Sequence, residues 1–223
     1  MSVRGSCAVC RWQINRALHG LVCLARLLLT CVGMANSLAT FSVADGLRLY
    51  LQRAYDTAAL KPAAGLTFEV ASAHQLNDFK TARDVLTIFL YRLTVNEHQR
   101  NPTEPYRERA PLSLDLHLLL IAWCEQPRTE QALLAWTMRE LYQRPVLDLS
   151  VLSPEAGWSQ GDAVQLVPSE LSNEDLMRLW DALTPPYHVS LSYIARMVRI
   201  DADPLPSFAP VVATRFDVEE TER

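Results

Sequence analysis

The sequence predicts a mixed α/β (α+β) domain, a twisted and mainly antiparallel sheet with about three helices packed on it. Three observations point there. DVLTIFLYRLTVNEH at 84–98 is rich in β-branched and aromatic residues and apolar on both faces over much of its length, the pattern of a long central strand. LSLDLHLLLIAW at 112–123 alternates, with Leu112, Leu114, Leu116 and Leu118 on one side and Ser113, Asp115 and His117 on the other. Between 171 and 183 lies a helix start followed by an apolar stripe at helical spacing.

The elements follow in order. Ser42-Val-Ala-Asp45 has the spacing of a capping box, and Val43, Leu47, Tyr50, Leu51 and Ala54 then recur at helical spacing. Pro62 and Gly65 close that element, and LTFEVAS at 66–72 reads as a short strand. The runs 84–98 and 112–123 are expected to pair as a hairpin, separated by the polar, proline-broken loop QRNPTEPYRERAP at 99–111. A helix over about 129–143 places Leu134, Met138 and Leu141 on one side, and between 145 and 168 either VLDLSVL or AVQLVP suits a strand. Ser172 and Asp175 form a second capping box, Leu171 and Leu176 a hydrophobic staple, and Leu176, Leu179, Trp180 and Leu183 the stripe that follows. Pro185-Pro186 ends this helix, and HVSLSYIARMVRID at 188–201 is the last long strand. The remainder, rich in proline and acid, reads as an extended tail.

Composition narrows function. The chain has 223 residues and a formal charge of −4. Residues 1–33 hold four arginines and no acid, so the rest carries 17 of the 21 basic residues against all 25 acids, a charge of −8. An acidic body argues against nucleic acid or an anionic membrane as partner. Four of the five cysteines, at 7, 10, 23 and 31, lie in the first 33 residues, leaving only Cys124 in the body and no disulfide framework there. Cys7-Ala-Val-Cys10 has redox or metal spacing, but His19, Cys23 and Cys31 follow it without the regularity of a zinc site. LVCLARLLLTCVGMA is too short, and too interrupted by Arg26, to span a bilayer; as a secretion signal it fits better.

Catalytic signals are sparse. None of the seven glycines stands in a phosphate-loop or nucleophile-elbow pattern, and nothing calls for a cofactor or metal. Asp115 and His117 share a strand face and admit a small-molecule enzyme reading, which requires a concave pocket over that face. Arg196 and Arg199, three apart on one strand, are expected on opposite faces.

Two blocks carry a resemblance. APLSLDLHLLLIAWCEQPRTEQALLAWTMRELYQRPVLD at 110–148 and VPSELSNEDLMRLWDALTPPYHVSLSYIARMVRID at 167–201 resemble the amino-terminal domain of the cap, or sheath-terminator, protein of contractile injection systems, the phage-tail-like particles of bacteria. Family members typically begin near a Met-Ala-Asn-x-Leu-Ala pattern, which Met34-Ala35-Asn36-Ser37-Leu38-Ala39 matches. The resemblance implies a non-enzymatic domain at 34–201, assembling as a homo-hexameric ring on the tube and sheath, in the cytoplasm, before becoming part of the particle. It implies no role for nucleic acid, membrane or cofactor. Asp115, His117, Trp180 and Tyr187 match family positions and are expected to hold the fold. Residues 1–33 have no counterpart and are expected to be sequence upstream of the true start; 202–223 form the tail. Contact is expected at the loop carrying Arg100, Glu104, Arg107, Glu108 and Arg109, and at Arg196, Arg199 and the tail from Asp203, because loops, strand edges and tails carry binding. A secreted or membrane-anchored binding protein is the remaining alternative, and it rests on the first 33 residues.

Overall fold

The computed structural model of the protein describes residues 35–77, 79, 83–96 and 111–201. Within them run α1 (Ala39–Thr57), β1 (Thr67–Ala71), α2 (Ala73–Asn77), β2 (Val85–Val95), β3 (Leu112–Trp123), α3 (Pro127–Gln143), β4 (Val146–Leu147), β5 (Val164–Pro168), α4 (Asn173–Asp181) and β6 (Ser190–Ile200). The six strands form one sheet in the order β1-β2-β3-β6-β5-β4. Only β1 and β2 run parallel; every other neighbouring pair is antiparallel. The mixed, mainly antiparallel sheet and the β2–β3 hairpin are as expected, and both candidate segments between 145 and 168 supply a strand.

Helices cover the sheet on both sides, unevenly. On the first face α1 brings Val43, Leu47 and Leu51, and α3 brings Leu133, Trp136 and Leu141, onto Leu86, Ile88, Leu116, Leu118 and Leu120. On the second face Leu76 of α2, with Trp180 and Leu183 at the end of α4, packs on Val85, Phe89, Leu119, Ile121 and Trp123. The double cover explains why the beginning of β2 and the end of β3 are apolar on both faces. The Trp123 indole N–H donates to Thr87 Oγ1 at 2.8 Å, which satisfies two polar groups inside the second core.

Two local expectations change. Ser42 does not cap α1, which begins three residues earlier. It is buried on the helix flank, where its Oγ accepts from the Ser153 backbone N–H at 2.8 Å and the Trp158 indole N–H at 3.0 Å. The chain enters α1 through Asn36, whose Oδ1 accepts from Leu38 N–H at 2.8 Å, a side-chain turn of the kind asparagine forms readily. Gly46 lets that helix approach the segment after β4, since a Cβ at this position would stand 3.1 Å from the Val151 carbonyl oxygen. Ser172 does cap its helix: its Oγ accepts from Asp175 N–H at 3.0 Å and donates to the Asp175 carboxylate at 2.7 Å, and Leu171 and Leu176 both pack against the second core.

Candidate interaction surface

Among the described residues, the second face of the sheet is covered at the end where Trp123 lies. At the other end β2, β3 and β6 present a polar face, and the hairpin and last strand reach it through two register shifts. One lies between Leu90 and Arg92 on β2, and the other falls where β6 pairs with Leu114 and Leu116 of β3. In the second, Ala195 pairs with Leu116 and Val198 with Leu114, so Arg196 and Met197 together oppose Asp115. This is a β-bulge, one residue longer on β6 than on β3.

Met197 sits at its centre with φ of 59°, a left-handed conformation uncommon for a residue with a side chain. Asp115 holds it there. Its Oδ1 accepts from the Met197 backbone N–H at 3.0 Å, and both carboxylate oxygens accept from the Asn96 side-chain amide, at 3.1 and 3.2 Å. One charged side chain of β3 thus joins β6 to the residue that follows β2, and hydrogen bonds to an ionised acceptor are the stronger kind.

His117 lies beside this clamp and not in it. Its Nε2 is 3.0 Å from Thr94 Oγ1, and its ring meets Tyr91 edge-on at 5.8 Å. Burial pushes its imidazole below the ordinary value, the Arg92 cation acts in the same direction, and Asp115 opposes them. Asp115 and His117 therefore have separate partners, and neither lines the cleft at the far end of β3. That cleft, of about 810 Å³, is lined by Phe79, Asp84, Trp123, Cys124, Pro185 and His188 among others. Burial and the neighbouring Asp84 push the Cys124 thiol up to about 12, so it is protonated and unreactive at neutral pH. Among the described residues no cluster of metal-binding side chains is present, and no helix is long and apolar enough to cross a membrane.

The bulge overturns one expectation about the arginines. Ala195 and Val198, three apart, both point into the first core, so Arg196 and Arg199 both stand on the second face instead of on opposite ones. Arg92, paired in register with His117, joins them. All three are exposed; Arg199 pairs with Asp201 at 2.9 Å, while Arg92 and Arg196 have no ion pair among the described residues. Arg92 does not stand out in the sequence, because it interrupts an apolar run and its face depends on the shift at Tyr91. On the first face the same end of the sheet leaves Leu93, Val95 and Leu112 about half exposed. Arg100, Arg107 and Arg109, with Glu104 and Glu108, and Asp203 of the tail, lie outside the described residues. Trp180 is buried in the second core, with the half-exposed Tyr187 edge-on against it at 5.6 Å.

Fold and surface together define a class: an α/β domain with a half-covered sheet, whose polar strand face is spent on fixing its own backbone. More particularly, the family model of the Pvc16 N-terminal domain matches residues 42–214, and the chain belongs to that family. The fold is similar to that of the sheath/tube terminator of PVC, an extracellular contractile injection system, in its extended state, with a TM-score of 0.52 and 20% identity over 82% of this chain. The match spans 64% of that terminator's length. The tube-terminating cap of the anti-feeding prophage also matches, with a TM-score of 0.43 and 14% identity, over 62% of this chain and 50% of that one. No curated protein matches the sequence.

Proposed function

We propose that the chain is a structural subunit of a cap that ends the tube and sheath of a bacterial contractile injection system and so fixes the particle's length. Membership of the Pvc16 N-terminal domain family over residues 42–214 carries this reading. The likeness in fold to a sheath/tube terminator supports it. A terminator works by shape: one surface fits the growing end and none continues it, so no catalysis is required. The cap is a homo-hexameric ring, assembled in the cytoplasm and carried in the finished particle. Residues 34–201 form the cap domain; Arg196 and Arg199, together with Arg100, Arg107, Arg109 and Asp203, belong to its contacts with neighbouring subunits, sheath or tube.

Deleting the gene from its particle cluster tests the role. Electron microscopy should then show tubes and sheaths of uncontrolled length, restored to uniform length by the full chain supplied in trans. Particles of normal length in the deletion strain would refute the reading.

A further inference from the structure

The exposed end of the second face is a cationic surface on an acidic protein. Arg92 and Arg196 stand there without ion pairs among the described residues, Arg199 shares its charge with Asp201, and Met197, 44% exposed, lies between the two β6 arginines. The carboxylate of Asp115, whose hydrogen bonds hold the bulge, and that of Asp201 offset part of this charge, and the three arginines leave the patch net positive. The other end of the same face carries the opposite arrangement. On α4 and the turn before it Glu170, Glu174, Asp175 and Asp181 are exposed, with Arg178 the one cation among them, paired to Glu174 at 2.6 Å. Met177, also 44% exposed, lies on the outer side of that helix between Glu174 and Asp181.

Both surfaces have an exposed methionine bounded by charges, and the charges are opposite in sign. Within one chain they cannot meet. Ser190 pairs with Ile121 near α4, and Arg199 pairs with Ser113 at the exposed end. Nine residues of strand hold them about 30 Å apart at about 3.3 Å each.

We infer that the Arg92–Arg196–Met197 surface of one copy receives the acidic outer side of α4, centred on Met177, of a second copy. An apolar centre within a charged rim is the ordinary anatomy of a protein interface, with the rim setting orientation and encounter rate. Because the two surfaces differ, each copy in such a contact leaves one of each kind free, and the contact can repeat around a ring. This inference rests on the ring reading proposed for the cap and specifies which surfaces close it.

The test uses the full chain in two charge-reversed variants, Arg92→Glu/Arg196→Glu and Glu174→Arg/Asp181→Arg. Circular dichroism and melting of each confirm the fold, and sedimentation velocity at low and high salt measures association. The parent should self-associate, less so at high salt. Each variant alone should associate at least about tenfold more weakly, since both of its surfaces then carry one sign. An equimolar mixture should recover association, because each reversed surface now meets its complement on the other variant. If both variants associate as the parent does, this contact is wrong while the ring reading stands. If the parent stays monomeric at low salt up to roughly 100 μM, far weaker than a stable assembly interface, the ring reading fails and the contact with it. A parent that forms only dimers, lost on reversal and recovered on mixing, supports the contact and counts against the ring.

Discussion

At the residue scale the informative position is Met197, held at positive φ by the Asp115 carboxylate. Asp115→Ala removes three charge-assisted hydrogen bonds and leaves the Met197 N–H seeking water, which should cost about 1–3 kcal/mol in urea unfolding. Glycine suits the left-handed conformation, so Met197→Gly should be neutral or stabilising by up to about 1 kcal/mol, whereas Met197→Val should destabilise by a similar amount. His117 gives a pH signature. Its folded-state value lies below the ordinary 6.5 because of burial and Arg92. At a pH between the two values the unfolded chain therefore binds the extra proton. The contribution of His117 to stability is complete above 6.5 and is lost as pH falls through that window. Proton NMR of the imidazole should show a midpoint below 6.5, and Arg92→Gln should raise it. None of these roles is legible in the sequence. Alternation places Asp115 and His117 on one face correctly, but their partners Thr94 and Met197 come from other strands and Asn96 from the residue after β2.

Elements are legible in proportion to how local their signals are. The boundaries of β3 and the start of α4 follow from residues within a few positions of each other: alternating leucines in one, Ser172, Asp175 and the Leu171–Leu176 staple in the other. The start of α1 is misplaced by the same reasoning because Ser42 and Asp45 have capping spacing by coincidence. Burial against Trp158 and Ser153, more than a hundred residues away, gives Ser42 its work instead. The two serines should therefore behave differently. Ser172→Ala removes a helix cap and should cost about 1 kcal/mol. Ser42→Ala should cost about 1–3 kcal/mol, since it strands a backbone N–H and an indole N–H at once, and should also alter the emission of Trp158. Equal costs with an unchanged spectrum would contradict this assignment. The bulges are illegible for a related reason: strand parity is inferred by counting, and a single extra residue, specified by a side chain on another strand, reverses every face that follows.

For the whole molecule the governing fact is uneven cover. The centre of β3 has helices on both sides, while the end of β2, the start of β3 and the end of β6 have no helix on the second face among the described residues. Native-state hydrogen exchange should therefore be slowest at Leu118–Ala122 and faster by orders of magnitude at Arg92–Val95, where β2 has also run past its β1 partner at Phe89. This asymmetry is half visible in the sequence, since β2 loses its apolar character towards 95 and β3 gains it towards 123. Which helix covers which face is not visible, because the crossing between α1, α3 and the sheet is set by long-range packing. The strand order also governs the timing of folding. The middle of the sheet is the β3–β6 pair, whose partners, from Ile121 with Ser190 to Leu112 with Ile200, stand roughly seventy to ninety residues apart. During synthesis β3 can dock on β2 early, but its other edge stays open until β6 has left the ribosome, and pairings of such long range form slowly. For that interval a strand of leucines is an adhesive edge, so the yield of native protein depends on how quickly the last strand arrives.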